Sequence, residues 1–176
     1  MRFTETELRG AFIIDPEPVL DGRGFFSRAF CRNEFESRKL DPNVVQCNIS
    51  FNAVRGTLRG MHYQAAPRHE VKLVRCTMGS VFDVIIDLRR DSSSFLKWTG
   101  IELNADNHRM LYVPRTFAHG YVTLCDNAEV FYQVSEFYSK ESERGVRWDD
   151  PAFKISWPIV PCVISDKDRC HPDFVL

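Results

Sequence analysis

The chain has 176 residues and a mass of 20.4 kDa, the size of one domain spanning 1–176. A hydrophobic share of 44% supports a packed core and excludes a disordered chain. With 23 Lys and Arg against 24 Asp and Glu, the net charge of −1 lacks the basic excess of a general nucleic-acid binder but leaves room for a local pocket for a small anion.

No apolar run approaches the ~20 residues a membrane helix needs. The start, Met1 to Glu7, is acidic and mixed, unlike a signal peptide, so a cytoplasmic protein is expected. In chain order, Phe12 to Ile14 is a short β run before a Pro-rich turn, and Asp21-Gly22-Arg23-Gly24 is a strong turn. A helix is predicted next, with Asn33 as its cap, Glu36 at the capping-box position, and Phe35 and Leu40 as apolar contacts. Further β runs follow at 44–51, 71–77, 81–88, 100–103, 110–113, 121–124 and 130–137. Short strands at regular spacing indicate an all-β sandwich or barrel with one or two small helices. The last forty or so residues, with their Trp- and Pro-rich turns, read as a tail wrapped over the barrel. The six cysteines (Cys31, Cys47, Cys76, Cys125, Cys162 and Cys170) form no CxxC pair, which argues against a zinc ribbon or a thioredoxin-type site. Cys47 and Cys76 lie in apolar runs and read as buried thiols.

Several side chains could carry chemistry. Arg59 and His62 stand three apart, so in a regular strand they face opposite ways and need a bend at Gly60 to share a pocket. The alternative is a surface arginine and a core histidine. Lys72 alternates onto one face with Val74 and Cys76. A lysine pointing into a barrel is costly to bury without an anion, although on an edge strand it could snorkel to water. Asp83 and Asp87 share a face with Val81 and Ile85 and read as strand-end carboxylates paired with Arg89 or Arg90, not as catalytic groups. His119 falls in a turn punctuated by Pro114 and Gly120. Tyr132 faces inward with Val130 and Val134, as core or as a general acid. By composition Ser165-Asp166-Lys167-Asp168 is a solvated charge run. A metal-binding cupin would use an HxH pair, whereas here His62-Tyr63-Gln64 lacks the second histidine and His69, Glu70 and His119 are wrongly spaced, so no three-ligand metal is expected.

Seven segments occur together in one order: Asp21-Gly22-Arg23-Gly24-Phe25-Phe26, Gln46-Cys47-Asn48-Ile49-Ser50, Leu58 to Gln64, Lys72-Leu73-Val74, Phe117-Ala118-His119-Gly120, Glu143 to Pro151, and Ser165 to Asp168. In these, from about Asp15 to Pro172, the chain resembles the dTDP-4-dehydrorhamnose 3,5-epimerase family, whose fold is a cupin jelly roll. The resemblance implies epimerisation of a nucleotide-linked 4-keto-6-deoxyhexose without metal or redox cofactor. It implies His62 as the base, Asp168 as its orienting carboxylate, Lys72 as the stabiliser of the enolate oxygen and Tyr132 as the acid on the opposite face. This reverses the surface reading of Asp168. Arg59 and His119 match substrate-binding positions. Arg23, Gln46, Asn48, Glu143 and Lys167 match positions that contact the nucleotide sugar or line its site, and Tyr138 could border the base or sugar. The family is typically a homodimer whose N-terminal segment crosses over, so Arg23 could serve the neighbour's site. One departure stands out. Arg28 occupies a place where many members carry a glutamate, and a guanidinium only donates where a carboxylate only accepts. Either a CDP- or GDP-sugar replaces the dTDP-sugar, or Arg28 reaches a phosphate. A monoepimerase on a related keto sugar, or a non-catalytic sugar-binding jelly roll, are the rival readings.

Overall fold

A computed structural model describes residues 1–175. Two antiparallel sheets face each other. The first runs in the order β1 (Arg2–Glu5), β2 (Phe12–Asp15), β10 (Met110–Val113), β7 (Lys72–Met78), β12 (Ala128–Val134), β5 (Gln46–Asn52). The second runs β13 (Glu143–Gly145), β6 (Thr57–Gln64), β11 (Phe117–Thr123), β8 (Ser80–Asp87), β9 (Trp98–Asn104), and the short β14 (Val163–Ile164) adds to β6 in parallel. A separate hairpin, β3 (Val19–Asp21) with β4 (Gly24–Phe26), stands apart from both sheets. The all-β expectation therefore holds, and the two helices are short: α1 (Arg32–Glu36) and α2 (Asp166–Arg169). No helix among the described residues is long and apolar enough to cross a membrane.

Alternation along the strands builds three apolar layers. Val74 and Cys76 of β7, Val81 and Ile85 of β8, Leu111 of β10 and Val130 of β12 meet between the sheets. On the outer face of the first sheet, Leu73, Met110 and Tyr112 pack under Phe35 and Leu40. On the outer face of the second, Met61, Val84, Ile86 and Ala118 are covered by Val146, Phe153 and Trp157 of the tail. Strands covered on both faces become apolar almost throughout, which explains why β8 reads Val-Phe-Asp-Val-Ile-Ile.

Four local expectations need correction. Helix α1 begins after Cys31, with no side-chain cap; Asn33 lies inside its first turn, and Glu36 ends it in an ion pair with Arg32. Phe35 holds this helix through ring contacts with Phe3, Phe30 and Tyr112, because so short a helix depends on tertiary packing more than on its cap. Residues 57–64 form a strand despite their glycines, and Phe117 to Gly120 open β11 instead of forming a turn. Cys47 is exposed, since it points outward from the edge strand β5, while Cys76 is buried as expected.

Where β6 crosses β11 the register slips. His119 pairs with His62 and Tyr121 with Arg59, so two steps on β11 match three on β6. This bulge turns Arg59 and His62 to the same side. It requires two bare glycines in contact: a Cβ on Gly60, whose φ is +147°, would lie 2.6 Å from the Gly120 Cα, and one on Gly120 would lie 2.8 Å from the Arg59 carbonyl oxygen. Gly60→Ala is expected to cost about 2 kcal/mol or more through overpacking at an unfavourable φ, read as a lowered urea midpoint. An unchanged midpoint would mean that the crossing has slack.

Candidate active site

The inward faces of both sheets converge on a cavity of about 510 Å³. From the second sheet come Arg59 and His62 of β6 and His119 and Tyr121 of β11, and from the first come Ser50, Lys72 and Tyr132; the tail adds Lys167 and Asp168. A second hollow of about 270 Å³ adjoins it, lined by Gln46, Asn48, Tyr138 and Glu143. His62, Lys72 and Tyr132 belong to both walls and stand at the junction.

His62 and Asp168 are in short polar contact, with Nε2 2.7 Å from Oδ1. The Asp168 side chain is 5% exposed and the imidazole 32%, so the ring reaches the cavity while the carboxylate lies behind it. Asp168 Oδ2 accepts from the Gly60 backbone N–H at 3.2 Å, and its own N–H donates to the Ser165 Oγ at 3.1 Å. Burial pushes the Asp168 carboxyl up, but the hydrogen bond and charge of His62, with the Gly60 and Ser165 contacts, outweigh it and hold the group below its ordinary value. A hydrogen-bonded carboxylate behind one ring nitrogen fixes the tautomer and leaves Nδ1 to act.

Lys72 is nearly buried and pairs with Glu70 at 3.2 Å. It therefore occupies the inward position that alternation assigned to it, and it has an anion beside it. Tyr132 is half-buried; burial, reinforced by Glu70, raises its hydroxyl above the ordinary tyrosine value, so it stays protonated at neutral pH. Arg59 Nε donates to Asn52 Oδ1 at 2.8 Å, and Ser50 Oγ lies 2.7 Å from the Tyr121 hydroxyl. In the smaller hollow the Tyr138 hydroxyl donates to Glu143 at 3.1 Å, Gln46 Oε1 accepts from the Tyr138 backbone N–H at 2.9 Å, and Lys167 pairs with Glu143.

The structure thus gathers eleven of the thirteen expected site residues along the two hollows, since Arg23 and Arg28 line neither. Arg23 sits at the tip of the β3–β4 hairpin, its side chain 91% exposed and paired with Asp21, and Arg28 is exposed just beyond that hairpin. Both therefore lie outside this chain's own cavity.

Asp83 is the residue that sequence reasoning missed. It is fully buried and does not pair with an arginine; both its oxygens lie 2.9 Å from Nε2 of His119. Asp87 does pair with Arg89 as expected, and it also accepts from Ser92 and Ser94. Ser50, Asn52 and Tyr121 were also overlooked.

Because Asp168 is depressed in the folded state, its pairing adds stability above the unfolded carboxyl value of about 3.9, and that share is lost as pH falls through the lower folded value. Asp168→Asn is expected to flatten the acid limb of the stability curve below about pH 4. The check is urea unfolding of both proteins from pH 6 to pH 3; parallel curves would remove the pairing as a source of stability.

The family described as dTDP-4-dehydrorhamnose 3,5-epimerase matches residues 5–175. A Shigella flexneri protein named dTDP-4-dehydrorhamnose 3,5-epimerase is 44% identical, over 99% of this chain and 97% of its own length. A crystal structure of the Elizabethkingia anophelis NUHP1 enzyme of that name superposes with a TM-score of 0.96 at 40% identity, covering 99% of this chain and 96% of the other. A Bacillus anthracis structure of that name, described with TDP and PPi bound, gives 0.94 at 40% identity, covering 98% and 99%. The match over residues 5–175 and the near-full-length similarity show it: the chain belongs to the dTDP-4-dehydrorhamnose 3,5-epimerase family, a family of isomerases.

Proposed function

We propose that this chain inverts both C3 and C5 of dTDP-4-dehydro-6-deoxy-D-glucose, giving dTDP-4-dehydro-L-rhamnose, with no metal or redox cofactor in the reaction. One observation carries the reading. The base and the acid come from opposite sheets: His62 stands on β6 of one, and Tyr132 on β12 of the other. A sugar ring lying between them has a base on one face and a proton donor on its other face, and that change of face is what inversion requires.

The steps follow from the side chains. The His62 Nε2–H donates to Asp168, so Nδ1 takes the proton from the carbon next to the C4 ketone. The negative charge moves to the C4 oxygen. Lys72 supports it there, in a low-dielectric wall where a fixed ammonium counts for more than in water. Tyr132, kept protonated by burial, returns a proton to the carbon from the other side. Arg59, His119 and Lys167 hold the diphosphate and sugar, with Asp83 fixing the His119 ring. Gln46, Asn48, Tyr138 and Glu143 border the sugar and nucleotide from the smaller hollow.

The active unit is a homodimer in this reading. The β3–β4 hairpin exposes Val19, Leu20, Phe25 and Phe26, which supports its packing on a second copy. It would carry Arg23 to the neighbour's diphosphate, and Arg28 to a phosphate oxygen, so thymidine recognition survives the missing glutamate. Residues 1–176 form one domain. The site of action is the cytoplasm; all six cysteines are unpaired among the described residues, which suits a reducing compartment.

The test is proton NMR with dTDP-4-keto-6-deoxyglucose in deuterated water. Exchange and inversion at both C3 and C5 are expected; exchange at one centre alone would make this a monoepimerase, and none would turn attention to CDP- and GDP-linked keto sugars. His62→Ala should lower exchange by about 10²–10⁴-fold, the usual worth of a general base. Tyr132→Phe should slow inversion more than proton removal. Normal exchange in His62→Ala would overturn the assignment of the base.

A further inference from the structure

A second imidazole stands behind the His62–Asp168 pair. The ring of His171, just after α2, lies 6.3 Å from that of His62 between centroids, inclined at 70°. It rests over Gly145, the residue opposite His62 across the β6–β13 ladder. A Cβ at position 145 would run into the His171 ring, so the bare glycine leaves the space the imidazole fills. Among the described residues Nε2 of His171 is buried and has no hydrogen-bond partner. A buried nitrogen of that kind is uncommon and points to a water or an ion that completes it. The ligand atoms of His62, Asp168 and His171 all lie within 4.8 Å of one another.

We propose that His62, Asp168 and His171 form an inhibitory zinc site at the base of the cavity. Two imidazoles and a carboxylate are a donor set zinc favours, with the fourth tetrahedral position open to solvent or substrate oxygen. The set is separate from the cupin HxH arrangement, whose second histidine is Gln64 in this chain. On binding, zinc takes the lone pair of His62 Nε2 and the ring's single proton moves to Nδ1, so the imidazole stays neutral. Asp168 changes from hydrogen-bond acceptor to ligand, and His171 supplies the third atom. At Zn–N distances of about 2.0–2.1 Å, tetrahedral ligand atoms are about 3.3 Å apart, so capture draws the His171 tail inward by up to about 1.5 Å from its present spread of 4.8 Å or less. With the ion on Nε2, Asp168 no longer accepts from the ring, and Nδ1 already holds the ring's proton, so the nitrogen that must take a proton has no lone pair to take it with. The inhibition rests on His62 being the base; the binding stands on the geometry alone.

The experiment separates the two. Zinc is titrated against the metal-free protein in competition with a chromophoric chelator, and proton exchange is followed on the same samples. The wild type should bind one zinc per chain and lose exchange, which a chelator restores. Since even outer-shell changes cost 10–100-fold in metal affinity, losing a ligand in His171→Ala or His171→Asn should weaken zinc at least about tenfold. Both variants should keep near-normal exchange without zinc and resist its addition. Cys170→Ser, which removes the exposed thiol next door, should bind zinc like the wild type. Equal zinc affinity in wild type and both His171 variants would overturn the site, as would loss of binding in Cys170→Ser. Zinc held through His171 with exchange unaffected would overturn the inhibition and, with it, His62 as the base. A wild type that shows no exchange before zinc is added would fail the functional reading, and the chelator titration would still decide the site.

Discussion

The contact between Gly60 and Gly120 sets the positions of the groups around it. With no Cβ on either residue, β6 and β11 approach closely enough for the bulge to form, and the bulge puts Arg59 and His62 on one side of the strand. The same turn of backbone aims the Gly60 N–H at Asp168, so the bulge that re-aims His62 also holds its carboxylate partner. His119 lies opposite His62 in the same ladder and enters the cavity from the next strand. A single close approach thus aligns residues that are 59, 62, 119 and 168 along the chain.

Charge is managed in the same economical way. Most of the buried ionisable groups have a charged counterpart: Asp83 with His119, Asp87 with Arg89, Asp168 with His62, Lys72 with Glu70; Asp150 instead accepts from the backbone N–H groups of Ala152 and Phe174. An isolated charge in such surroundings would cost several kcal/mol, so a pair is the condition for keeping reactive groups out of bulk water. The pairs differ in use. Asp87 is sealed by Arg89, Ser92 and Ser94 and only secures a loop. Asp168 and Asp83 each support an imidazole that opens on the cavity.

Most strands were legible because alternation is a direct record of which face is buried, as in β7, β8 and β12. Alternation also placed Lys72 and Tyr132 inward before any coordinates. It failed for β6, where glycines and a three-residue spacing resemble a bend, and the bulge means that both a strand and a bend are present. It failed for Asp83 in a different way. Its inward direction could be read, but the partner lies diagonally on a neighbouring strand: Asp83 is opposite Tyr121, and His119 is two residues away. No single strand's pattern contains that offset. Asp168 was legible only through the family resemblance, since a charged four-residue stretch gives no sign that one of its carboxylates is 5% exposed.

The two halves of the imidazole–carboxylate pair are 106 residues apart, with the second supplied by the tail through β14 and α2. During synthesis the strands between them emerge first and can close the barrel around an incomplete centre. The hydrophobic core needs little from residues after 160, whereas His62 has no carboxylate partner until that tail has docked. Completion of the barrel and completion of the His62–Asp168 pair are therefore separable, and the second waits for the last short strand to find its place beside β6.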